Sequence, residues 1–173
     1  MRGTLYIFGA VLIALCAISS MAILGANGKE EKRRGSEWCS DEDILFHDLE
    51  EGKLLASSEG KPLMTIITAE WCSACRTLKY ALKEFQPFQR LAKKFVMVLL
   101  EGDEEPRAEE YSPDGAYFPR IFFAGADGQP RHDLYNRNGN ATYRYFYFSK
   151  DHLVQGMEAA LESLSGPSAL IDL

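Results

Sequence analysis

Metal-binding side chains are scarce in this chain. It holds three histidines and four cysteines in 173 residues, and the cysteines form one C-x-x-C pair without a second. A zinc site on that pair would need two more ligands. Outside the N-terminal apolar run only Cys39, His47, His132 and His152 are on offer, and none belongs to a second paired motif. No metal is expected. Basic clusters are missing too: 19 Lys and Arg face 25 Asp and Glu, for a net charge of −6. There is no basic stripe and no aromatic-basic interleaving, which argues against a nucleic-acid partner. The acidic run Glu101-Gly102-Asp103-Glu104-Glu105 reads as a solvated loop. Internal repeats are absent as well.

Long hydrophobic runs are limited to one. Leu5 to Leu24 is nearly all apolar, follows Arg2, and holds the small-residue site Ser20-Met21-Ala22 near its end. Residues 1–22 are expected to be a cleaved secretory signal peptide. An uncleaved anchor is the competing reading, because the run is long enough to span a bilayer. Residues 23–39 are charged and mostly lack periodicity, so a disordered arm is expected. Cys16 leaves with the signal, and Cys39 then has no obvious partner. An odd cysteine in a secretory chain points to a free thiol or to a dimer bridge.

What the chain does have is Trp71-Cys72-Ser73-Ala74-Cys75. The apolar run Leu63–Ala69 precedes it, and Leu78, Ala81, Leu82 and Phe85 follow at helical spacing. A strand delivers the pair and a helix begins at it, a context that favours redox chemistry over metal binding. The first cysteine would sit at a helix N-terminus, where unpaired N–H groups and the macrodipole favour an anion. The thiolate, the reactive form of cysteine, is such an anion. A purely structural disulfide is the alternative.

Around this centre the pattern reads as follows. Ser40, with Asp43 three residues on, is expected to cap a first helix bearing Ile44, Leu45 and Leu49 and ending at Gly60 and Pro62. Pro87 is expected to kink the helix after Cys72 or to split it in two. Phe95–Leu100 is a buried strand, 101–118 a loop, and Arg120–Phe123 a third strand. An Asp127-Gly128 turn is expected to close a hairpin onto a fourth strand near Pro130–Leu134. The aromatic segment Tyr143–Phe148 reads as core packing, and Ser149 caps a last helix carrying Leu153, Val154, Met157, Leu161 and Leu164. Gly166-Pro167 stops it. The expected organisation is an α/β domain over 40–166 with a short tail over 167–173. Its mixed sheet has helices on both faces. Asn140-Ala141-Thr142 is a candidate glycosylation sequon in a loop.

The order of elements, with Ala69-Glu70-Trp71-Cys72 and Cys75, resembles the thioredoxin fold. Further motifs recur in order: Pro62-Leu63-Met64, Ser112-Pro113-Asp114-Gly115, Phe118-Pro119-Arg120-Ile121, Asn138-Gly139-Asn140, Tyr143–Tyr147 and Val154-Gln155-Gly156-Met157. Together they resemble the family of thioredoxin domain-containing protein 12 and the anterior gradient proteins. The resemblance implies a thiol–disulfide oxidoreductase of the endoplasmic-reticulum lumen, linked to glutathione and acting on client proteins, with no bound cofactor. It implies Cys72 as nucleophile and Cys75 as resolving cysteine. Phe118-Pro119 matches a cis-proline position whose backbone can pair with a substrate chain, and Trp71 would shape the contact surface.

Three positions depart from the pattern. Ser73 stands where the reductase member has glycine. Ile66 replaces a buried acid of thioredoxin, leaving Glu70, Glu101 or water as proton acceptor for Cys75. The chain ends Leu170-Ile171-Asp172-Leu173, a weak match to a retention signal, so secretion is an alternative destination. The competing function is a binding or signalling protein that acts through partner contacts.

Overall fold

The computed structural model describes residues 33–164. The expected signal peptide, residues 23–32 of the arm and the tail over 167–173 lie outside the described residues. Among those described, no helix is long and apolar enough to cross a membrane.

Eight elements follow in order: β1 (Phe46–His47), α1 (Leu49–Glu59), β2 (Leu63–Thr68), α2 (Ser73–Lys83), α3 (Gln86–Ala92), β3 (Val96–Glu101), β4 (Arg120–Ala124) and α4 (Lys150–Leu164). The sheet order is β1-β3-β2-β4. β2 runs parallel to β3 and antiparallel to β4, so the sheet is mixed as expected. β2 is central, and all six of its residues are buried. Its period of two sends alternate side chains to opposite faces. Met64 and Ile66 join a core with Leu78, Leu82, Phe88, Leu153 and Met157, which come from α2, α3 and α4. Leu63 and Ile67 join a second core with Ala56 of α1, Val98, Phe122 and Tyr145. Helices therefore cover both faces.

Helix ends follow local chemistry. Asp48 caps α1 by accepting from the Glu51 N–H at 2.8 Å, and Gly60 closes it in a left-handed conformation. Pro87 sits in the first turn of α3, where its missing N–H costs nothing, so the helix after Cys72 does come in two parts. Ser149 precedes α4 and accepts from the Asp151 N–H at 3.3 Å.

Three expectations are corrected. The first helix does not begin at Ser40. Residues 40–45 are turn and coil, because Ile44 and Phe46 are drawn into the core and β1 pairs with β3. The fourth strand does not form: Ala124 and Pro130 make an isolated bridge, since proline has no N–H to extend the ladder. The arm is ordered over its last seven residues, 33–39. Trp38 and Cys39 are buried in the core, Arg33 donates to the Ile44 and Cys39 carbonyls, and Gly35 takes a positive φ where any side chain would collide with the Phe46 ring. Cys39 is a free thiol with no exposed surface.

Candidate active site

β2 ends at Thr68, and a tight turn in which the Cys72 N–H donates to the Ala69 carbonyl at 3.1 Å carries the chain into α2. Cys72 is the N-cap of α2. Its sulfur accepts from the Cys75 N–H at 3.1 Å, the place a capping oxygen usually takes. The helix thus aims an unpaired donor at the sulfur that would carry charge as a thiolate. Cys72 and Cys75 form a disulfide with Cα atoms 5.3 Å apart, ordinary for such a bond. Cys72 retains 6% of its surface and Cys75 only 2%.

The surroundings are apolar: Ala69, Ala74 and Phe118 pack on the two cysteines. Phe118 precedes Pro119 across a cis peptide bond. The Trp71 ring meets the Phe118 ring edge-on at 5.5 Å and is otherwise 75% exposed. Trp71, Cys72, Cys75, Phe118 and Pro119, all sequence candidates, therefore converge on one end of the sheet. Asn140 does not belong to this cluster. It lies in an exposed turn, where its side-chain oxygen accepts from the Thr142 and Tyr143 N–H groups.

Ile66 is fully buried in the core on which α2 packs, and Glu70 and Glu101 are exposed. Among the described residues the buried polar or charged side chains are Thr65, Thr68, Gln89, Arg120 and Asn136, with no carboxylate. The dithiol has no buried acid beneath it. The described residues also hold no group of three or more metal-ligating side chains.

The residue missed from sequence is Arg120, the first of β4 and fully buried. Its Nε donates to the Tyr111 carbonyl at 3.0 Å, its Nη1 to the Tyr117 carbonyl at 2.7 Å, and its Nη2 pairs with Glu105. The available signal was a charge at the head of an otherwise apolar strand.

Residues 44–126 match the thioredoxin-like family. Human anterior gradient protein 3 is 30% identical over 88% of this chain and 92% of that relative. The mouse protein of the same name is 32% identical over 86% and 93%. Human anterior gradient protein 2 homolog is 32% identical over 75% and 73%. Among solved structures, a disulphide isomerase from Xylella fastidiosa Temecula1 aligns with a TM-score of 0.47 and 23% identity, over 64% of this chain and 86% of that one. The fold is thioredoxin-like, and the chain belongs to the anterior gradient family.

Proposed function

We propose that this protein is a thiol–disulfide oxidoreductase acting on client proteins. The observation that carries the reading is Cys72 at the N-cap of an eleven-residue helix, joined to Cys75 and facing a cis-proline. In the reducing direction, the Cys72 thiolate attacks one sulfur of a client disulfide. The client S–S bond breaks, a Cys72–client mixed disulfide forms, and one client thiolate departs. The Cys75 thiolate then attacks the Cys72 sulfur, the mixed disulfide breaks, and the second client thiolate leaves with the electron pair. The client has gained two electrons, and the protein holds the Cys72–Cys75 disulfide. Two molecules of glutathione restore the dithiol and depart as glutathione disulfide. Run backwards, the oxidised pair takes two electrons from a client dithiol.

The extended client chain would lie across Phe118-Pro119 and pair with backbone there, in the manner of an added strand, while Trp71 shapes the approach. The endoplasmic-reticulum lumen or a secreted route suits the chemistry, because disulfides persist in oxidising compartments. The partner-binding alternative draws on the exposed aromatic surface of Trp71, Tyr143 and Phe148. The two are separated by trapping. Cys75→Ser should accumulate mixed disulfides with clients on non-reducing gels, and Cys72→Ser should not. Trapping by Cys72→Ser alone reverses the roles, and trapping by neither leaves partner binding as the function.

A further inference from the structure

We infer that Arg120 is a positioning residue for client binding: it fixes the Tyr117–Phe118 peptide in the orientation that an extended client chain must meet. The inference rests on the oxidoreductase reading above. Between β3 and β4 the chain runs from Gly102 to Pro119 with two short 3-10 turns as its only regular structure. That segment has no ladder to hold it, yet it delivers Phe118 to the dithiol. Arg120 gathers it from within. One guanidinium reaches Glu105, the Tyr111 carbonyl and the Tyr117 carbonyl, three points along the segment. It also lies 5.4 Å from the Phe118 ring centroid and 5.7 Å from that of Tyr117.

The side chain suits this task and little else. A planar fork spreads five N–H donors over three nitrogens and so reaches three separated acceptors, whereas the three donors of an ammonium sit on one atom. A buried ion pair is a poor source of stability compared with an apolar side chain of similar volume. What the arginine supplies is geometry. Tyr117 is clamped a second time at its far end: its hydroxyl donates to Asp114 at 2.9 Å and accepts from the Tyr145 N–H at 3.1 Å. With the carbonyl and hydroxyl of Tyr117 both held, Phe118 lies between a fixed peptide and Pro119.

The test compares two disulfide substrates on the full mature protein. One is a peptide with an internal disulfide; the other is the chromogen dithiobis-nitrobenzoate, which has no backbone to pair. In Arg120→Met the KM for the peptide should rise by about tenfold or more, as misplacement of a binding element predicts. The chromogen rate should stay within about twofold, since Cys72 and its cap are untouched. Arg120→Lys should not rescue the peptide KM. If Arg120→Met does not fold, Tyr117→Phe removes the second clamp and leaves the buried cation paired; its peptide KM should rise while the chromogen rate holds. An active wild type with unchanged peptide KM in a folded variant overturns the inference alone. Equal losses on both substrates also overturn it, because Arg120 would then be merely structural. A wild type inert toward both substrates overturns the oxidoreductase reading and this inference with it.

Discussion

Cys39 and Cys72 show how place decides the use of a thiol. Cys39 is buried beside Trp38, and loss of solvation raises its pKa, so it stays protonated and out of reach. In mature protein with the Cys72–Cys75 bond intact, a thiol reagent should count no reactive group until denaturant is added, and then one. Cys39→Ser should leave turnover of a model disulfide nearly unchanged. It should lower stability by about 1–3 kcal/mol, the cost of a hydroxyl placed among apolar groups, read by denaturant titration. A turnover loss of more than about tenfold would place Cys39 in the electron path. Asn140 is exposed, and in a eukaryotic secretory host a glycosidase should shift the wild type on gels but not Asn140→Gln. No shift in either means the sequon is idle.

The elements nearest the dithiol were the most legible in sequence. β2 has one strand's length of apolar residues, α2 repeats at helical spacing, and their junction holds the cysteines, so local pattern and tertiary role agree. The first helix was misplaced because two cap signals compete. Ser40 and Asp43 carry the chemistry of a cap, but Asp48 with Glu51 carries it too, and only Asp48 opens a segment that lies on the sheet. Burial of Trp38 and Ile44, a tertiary effect, decided between them. α1 also shows how tightly a helix can be set down: a Cβ on Gly52 would run into the Val98 side chain. Gly52→Ala should therefore lower stability by about 1–3 kcal/mol through overpacking, despite alanine's better helix propensity. A rise in the melting temperature would show that α1 can lift off the sheet freely. Arg120 was hidden for a different reason: no periodicity announces that two loop carbonyls and one carboxylate will converge on one guanidinium.

Across the whole molecule, charge ties the ordered end of the arm to the loop that leads to the site. Arg34 donates to both Glu104 oxygens at 2.8 Å and to the Leu99 carbonyl at 2.9 Å, while the neighbouring Glu105 pairs with Arg120. The Arg34 hydrogen bond holds the Glu104 carboxyl below its ordinary range. A depressed folded value means the contribution is complete above the unfolded glutamate pKa and is lost as pH falls through the folded one. The pair is over a third exposed, so screening limits it to about 0.2–1 kcal/mol. Glu104→Gln should flatten the acid limb of the stability curve by that amount, and an unchanged limb would show the pair to be idle. The missing carboxylate beneath the dithiol reaches further. With Ala69, Ala74 and Phe118 around the sulfurs, no internal acid has to be charged or discharged between oxidation states. Each two-electron cycle then trades two protons with the solvent. The midpoint potential should fall by about 59 mV per pH unit in one straight line, and bend only where a thiol of the pair itself ionises.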